Sequence, residues 1–445
     1  MSKNEKIISG DTIVAQATPF GHSGVALVRL SGRGSVKIVE KLTGGSHLKN
    51  RVSTFSKILS PNNEVIDQAL ITFFQSPASY TGENVVEITP HGNPAIVENI
   101  IETICTYGGR IADPGEFTKR AFINGKLDLV QVEAVAALIN SKSKEAALAQ
   151  QKIASGALSK KINEIKDILV STLALVENEI DISEELMEKQ TVACVKTNLI
   201  KTKDLIGGLL KTYKLGKMLF EGLDVIIVGE TNVGKSTLFN ALVKKDVSIV
   251  NQEPGTTRNL IESGVLIGGA VVRVVDTAGV RKTNNPVEKE GLDRAKRRAK
   301  KADLILHLID DPAKAIKIKK TGKKLIILTK SDLRKNLRVK KHIIHISAKA
   351  GLGVDGLLDK VKESLGIASL STDTTYLSTL RQKRALSLCG RPVERAIGST
   401  GLSPIDLSTL AFDIREALDQ IDSILGKTTA DEILNKIFTS FCVGK

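Results

Sequence analysis

GETNVGKS, residues Gly229 to Ser236, is preceded by the apolar run LDVIIVG (Leu223–Gly229) and followed by STLFNALVKK (Ser236–Lys245). It fits GxxxxGK[ST], and an apolar strand before it with a helical run after it is the context that confirms such a match. Glycines let backbone N–H groups approach a phosphate closely, so Asn232, Val233, Gly234 and Thr237 frame a nucleotide-binding loop. Lys235 reaches the β- and γ-phosphates and Ser236 holds Mg²⁺.

Working outward, DTAG (Asp276, Thr277, Ala278, Gly279) closes the strand VVRVVD, where an acid binds Mg²⁺ through water and a Gly N–H senses the γ-phosphate. TKSD supplies Thr329, Lys330 and Asp332 after LIILTK; the Asp332 carboxylate accepts from guanine N1–H and N2–H₂, which selects guanine over adenine. SAK (Ser347, Ala348, Lys349) closes HIIHISA and presents backbone to guanine O6. This order predicts a GTPase built on a doubly wound α/β sheet over about residues 218–366. In NQEPGTTRN (Asn251–Asn259), Thr256 and Thr257 lie in a switch segment, with Thr257 the second Mg²⁺ ligand. Val280 stands where Ras-type GTPases place a water-orienting Gln, so another group must polarise the water.

The flanks differ. Residues 1–118 carry short β-branched runs punctuated by Gly and Pro and read as an α+β domain. Residues 119–217 and 367–445 show helical periodicity, too amphipathic to stand alone, and read as one helical bundle split by the GTPase insert. The chain of 445 residues is long enough for two or three domains. Its four cysteines are scattered, which argues against a disulfide scaffold or zinc site and for a reducing compartment. No apolar run reaches the length of a membrane span and the N-terminus lacks a signal core, so a cytoplasmic, membrane-free protein is expected. A formal net charge of +15 suits a polyanionic partner, with RNA the first candidate. The runs KRRAKK and KIKKTGKK lie in the insert and read as solvated faces.

Outside the insert, DTIVAQATPFGHSGVALVRLSG (Asp11–Gly32), SYTGENVVEITPHGN (Ser79–Asn93), PGEFTKRAFINGKLDLVQVEAV (Pro114–Val135) and the closing FCVGK (Phe441–Lys445) stand in order along the chain. With the GTPase motifs they make the whole sequence resemble the MnmE (TrmE) family of tRNA-modification GTPases. The resemblance implies a K⁺-dependent GTPase that works as a homodimer and with a flavin-containing partner, MnmG (GidA), in a heterotetramer. Together they add an aminomethyl or carboxymethylaminomethyl group at C5 of the wobble uridine of certain tRNAs. The one-carbon unit comes from 5,10-methylenetetrahydrofolate or 5-formyltetrahydrofolate. It further implies K⁺ ligands at Asn232, Asn251, Glu253 and Thr256, and a water-orienting acid at Glu288. It also places folate contacts at Arg29, Glu87, Lys126 and Lys445, and a tail that folds back so that Cys442 lies near the one-carbon donor. On residue type alone, Arg29, Glu87 and Lys126 read as surface charges and Cys442 as a thiol ending a packed helix.

Departures from the family pattern are Asn259 in place of an acid, Thr329 in place of Asn, His22 in place of Arg, and Asn93 in place of a second Gly. A different class remains open on the GTPase motifs alone: an Era-like RNA- or ribosome-assembly switch, which would lack the folate-type domain and the cysteine tail. A folate-dependent transferase acting on something other than tRNA is the other alternative.

Overall fold

The computed structural model describes residues 10–182, 189–230, 232–245, 262–276, 302–317, 324–333, 343–367, 371, 373–402, 404–428, 434, 437–439, 441 and 444. The chain separates into two compact units, Met1–Ala136 with Leu418–Lys445, and Ala137–Ala417.

The first unit is built on six strands: β1 (Thr12–Gln16), β2 (Val28–Ser31), β3 (Ser53–Leu59), β4 (Val65–Phe74), β5 (Val85–Thr89) and β6 (Gly109–Ile111). They lie in the order β3-β4-β5-β2-β1-β6, antiparallel except for the β1–β6 pair. Alternation in the strands turns Val14, Leu30 and Ile88 to one face. There they pack with Ile38 and Leu42 of α1 (Ser35–Leu42) and Ile100 and Ile104 of α2 (Pro94–Thr106). Asn93, where the family pattern has Gly, has a local role: its Oδ1 accepts from the Ala95 amide at 2.9 Å and caps α2, with Pro94 in the first turn. The opposite face of β1 carries Ile13 and Ala15, which pack with Phe117 of α3 (Glu116–Ile123).

A third apolar cluster joins distant parts of the sequence. Leu129 and Val132 of α4 (Leu129–Ile139) pack with Leu434, Ile437, Phe438 and Phe441. The Phe122 and Phe438 rings lie 6.2 Å apart, and Phe438 and Phe441 6.1 Å apart. Phe441, which opens FCVGK, is therefore buried.

The second unit holds the helices α5 (Lys144–Ala154), α6 (Ala157–Ile182), α7 (Lys189–Glu221), α10 (Leu380–Ser399) and the start of α11 (Leu407–Leu425), with the GTPase sheet between α7 and α10 in sequence. Local signals set the helix starts: the Ser143 hydroxyl accepts from the Ala146 amide, and Thr379 with Gln382 forms a capping box. The sheet comprises β7 (Leu223–Gly229), β8 (Glu262–Ile267), β9 (Ala270–Asp276), β10 (Leu304–Ile309), β11 (Lys324–Leu328) and β12 (Ile343–His345), with α8 (Lys235–Lys245) and α9 (Val354–Leu365). Its order is β12-β11-β10-β7-β9-β8, parallel throughout except for β8 against β9. Near-continuous apolar runs such as LILHLI suit strands in a mainly parallel sheet covered on both faces. The β8–β9 hairpin escapes the strand reading above; its signal is Gly268-Gly269, both at positive φ, a turn type that needs such residues.

Candidate functional site

The phosphate loop sits where β7 gives way to α8. β7 is flanked by two parallel neighbours, β10 and β9, so the loop leaves the carboxyl end of a central strand. Gly229 passes close to β10; a Cβ there would stand 2.7 Å from the Leu308 carbonyl oxygen. Asn232 takes the left-handed conformation at φ +62°, and Gly234 follows at φ +101°. A non-glycine residue held at positive φ inside a binding loop marks a backbone fixed by its surroundings. Val233 is buried beneath the loop, and the Leu238 amide bonds the Gly234 carbonyl at 2.9 Å as the helix begins. The Lys235 ammonium donates to the carbonyls of Gly229 at 2.9 Å and Glu230 at 2.7 Å, which keeps the cation at the loop. Glu230 is itself paired with Lys314 at 2.6 Å; Asp310 and Glu230 hold the Lys314 ammonium above its ordinary pKa.

The TKSD and SAK segments, expected from the sequence to read guanine, converge on the same edge. Thr329 is buried, and its Oγ1 donates to the Val233 carbonyl at 2.6 Å, tying the TKSD loop to the phosphate loop. The residue that departs from the commoner Asn thus acts as a brace. Lys330 has φ +56°, and the Ser331 amide bonds the Ile346 carbonyl at 3.1 Å, which joins TKSD to the strand end carrying SAK. Ser347 is buried and its Oγ accepts from the Ala350 amide at 3.3 Å, shaping the turn that contains Ala348 and Lys349. Asp332 lies in the short helical turn Ser331–Leu333, next to that junction. Asp276 ends β9 beside β7, at the same sheet edge as the phosphate loop. Asn251, Glu253, Thr256, Thr257, Thr277, Ala278, Gly279 and Glu288 lie outside the described residues.

A second cluster stands in the first unit. Arg29 on β2 and Glu87 on β5 are directly opposite in the strand register, and their side chains pair at 2.8 Å. Neither is a free surface charge; their side chains are 15% and 24% exposed. The Arg29 guanidinium also lies 5.6 Å from the Tyr80 ring centroid and 5.8 Å from that of Phe117, within cation–π range. Burial pushes the Tyr80 phenol above its ordinary pKa, against the pull of Thr118 and Arg29. The closing tail reaches this cluster: Arg29 Nη1 donates to the Gly444 carbonyl at 3.5 Å. Gly444 has φ +94°, and a Cβ there would overlap the Gln16 carbonyl oxygen. Lys126 has a separate anchor, donating to the Pro77 carbonyl at 3.1 Å. Cys442 and Lys445 lie outside the described residues.

Beside this cluster runs a charged network that residue type alone did not reveal. Arg120 bridges Asp11, Glu83 and Glu116, while Arg110 pairs with Asp11 and Glu116. Burial raises the Glu116 pKa, but bonds from Arg110, the Asp113 amide and Arg120 outweigh it and hold the carboxyl below its usual range. Glu83 links outward to Ser31, which bonds Thr81. The signal was in PGEFTKR, where Glu116 and Arg120 stand four apart on one helix face.

A phosphate loop on a central parallel strand, with the TKSD and SAK loops on the ends of two further parallel strands of the same sheet, defines a P-loop GTPase. Residues 12–126 match the family described as GTP-binding protein TrmE N-terminus, and residues 129–442 match the MnmE helical domain. The chain is 39% identical over 447 residues to the tRNA modification GTPase MnmE of Aquifex aeolicus, covering 98% of this chain and 100% of that protein. It is 37% identical over 453 residues to the protein of that name from Legionella pneumophila, covering 98% and 100%. Against that from Acetivibrio thermocellus the identity is 35% over 457 residues, covering 98% and 99%. The chain belongs to the MnmE (TrmE) family of tRNA modification GTPases. It is a GTPase involved in tRNA modification, which sets aside an Era-like assembly switch. Among the described residues no helix is long and apolar enough to cross a membrane.

Proposed function

We propose that this chain is a K⁺-dependent GTPase that, as a homodimer joined by a flavin-containing partner of the MnmG (GidA) kind, modifies C5 of the wobble uridine of certain tRNAs with a folate-borne one-carbon unit. The observation that carries the reading is Asn232, held at positive φ in the phosphate loop two residues before Gly234. Its amide oxygen is a hard donor of the type an alkali cation takes.

In this reading the loop from Asn232 to Thr237 holds the phosphates, with Lys235 as the cationic contact and Ser236 and Thr257 as Mg²⁺ ligands. Thr329, Lys330, Asp332 and Ser347 to Lys349 hold the base. Asn232 with Asn251, Glu253 and Thr256 would hold K⁺, which supplies positive charge near the bond that breaks, as an arginine finger does elsewhere. Glu288 orients the water that Val280 cannot. Arg29 and Glu87, flanked by the Tyr80 and Phe117 rings, suit a flat, polar ligand such as a pterin. With Lys126 and Lys445 they would hold tetrahydrofolate, the source of the one-carbon unit. Gly444 at Arg29 supports a tail that brings Cys442 to that ligand, as nucleophile or proton donor.

The test is GTP turnover by the full chain in K⁺ against Na⁺ at equal ionic strength, with Asn232→Ala alongside. Strong K⁺ stimulation that is lost in the variant supports the reading. Equal rates in the two salts overturn it.

A further inference from the structure

We infer that the tRNA phosphate backbone docks on a basic face formed by α7 and α10; this rests on the assignment to tRNA modification. Charge is segregated among the long helices. α7 carries seven Lys against two acids, and α10 five Lys and Arg against one. α6 carries three Lys against five acids, and α11 one Arg against four.

Five of the seven lysines of α7 also share a face. Lys189, Lys196, Lys203 and Lys217 fall on one seven-residue repeat, broken only at Leu210. Lys214, eleven residues after Lys203, returns to the same side. Seven residues make nearly two turns, so such positions drift only about 20° per repeat. The 28 steps from Lys189 to Lys217, at about 1.5 Å each, make a lysine ridge about 42 Å long whose last member, Lys217, pairs with Glu221.

α10 continues that face. Three contacts fix its place beside the ridge: Lys203 pairs with Glu394 at 3.1 Å, Lys383 lies 4.8 Å from the Tyr213 ring centroid, and Gly390 faces Ile206. Arg391 and Arg384 stand three and ten residues before Glu394, on its exposed side. Arg395, one turn beyond Arg391 on the same side of α10, is instead neutralised by Asp413 and Glu416 of the neighbouring α11. By contrast, Lys196, Lys214, Arg384 and Arg391 are exposed and carry no ion pair among the described residues. Uncompensated cations spaced along two packed helices, with the Tyr213 ring between them covered by Lys383, fit backbone phosphates rather than base edges. Such contacts set the position of an RNA and leave its sequence to be read elsewhere.

The experiment measures binding of an unmodified tRNA transcript to the full chain by fluorescence anisotropy across a salt series. The test variant combines Lys196→Gln, Lys214→Gln, Arg384→Gln and Arg391→Gln. A control of equal charge change combines Lys37→Gln, Lys144→Gln, Lys160→Gln and Lys360→Gln, all exposed lysines on elements other than α7 and α10. Thermal melts establish that both fold. The face variant is expected to lose at least about tenfold in affinity at low salt, and its log K against log salt slope to flatten by about 3–4. The control is expected to keep the parent's slope. Equal effects in both variants, or none in the face variant, overturn the assignment of this surface. A parent chain that binds no tRNA overturns it as well and, unlike those results, also counts against direct tRNA contact by this protein.

Discussion

Replacing Thr329 by Val keeps the side chain's shape and removes one hydroxyl, which isolates the brace between the TKSD loop and the phosphate loop. Thr329 is 3% exposed, and its Oγ1 donates to Val233 O at 2.6 Å and lies 3.3 Å from Ile309 O. Ile309 O keeps the Thr329 amide at 3.0 Å, so the group deprived of a donor is the Val233 carbonyl, at the centre of the phosphate loop. Leaving a buried acceptor short costs about 1–3 kcal/mol. With that cost borne by the loop in its phosphate-holding conformation, at about 1.4 kcal/mol per tenfold, GDP affinity falls about 5- to 140-fold. The assay is equilibrium titration with a fluorescent GDP analogue. Thr329→Ser keeps the donor and is expected to stay close to the parent. Thr329→Asn tests whether the residue commoner in the family braces the loop equally well. A Thr329→Val protein that binds the analogue as tightly as the parent would refute the reasoning.

Three other outcomes are expected. Gly444→Ala forces a side chain into the left-handed region, at about 1–2 kcal/mol before any overlap with Gln16. Backbone hydrogen exchange around 434–444 is expected to quicken about 5- to 30-fold or more, and unchanged exchange would count against a docked tail. Glu116, its pKa depressed, contributes stability that is present above the unfolded carboxylate pKa and is lost as pH falls through the folded one. Melting temperatures of the parent should therefore drop through the acid range. Glu116→Gln, which breaks a buried network at about 3–5 kcal/mol, should melt lower at neutral pH and show a shallower acid limb; a parallel limb would contradict this. Among the described cysteines, Cys194 is exposed, whereas burial pushes the Cys389 thiol up to about 12. Native labelling at pH 8 should modify Cys194 quickly and Cys389 only after unfolding, and mass spectrometry of the labelled peptides decides the order.

The GTPase core was legible because its signals are local. A glycine-rich loop between an apolar strand and a helix has few other solutions, and the remaining motifs sit at strand ends in a set order. The β8–β9 hairpin was missed because ESGVLI opens on a charged and two small residues, so only the Gly-Gly turn announces it. At Arg29 and Glu87 residue type misled: strand register, a relation between segments 58 residues apart, makes them partners. The basic face of α7 was hidden for another reason. Net charge counts all lysines alike, and only the helix period with the placement of α10 separates a ridge from a solvated surface.

The cluster that joins Leu129 and Val132 to Phe438 and Phe441 bears on how this protein is made. A ribosome adding about 5–20 residues per second needs roughly 15–60 s to cover the roughly 300 residues between these segments. Throughout that interval α4 carries an apolar face whose cover has not been synthesised. The nascent chain is therefore a natural client for holding factors, and a message truncated before Phe438 would yield a protein with an intact GTPase fold and an unfinished first unit.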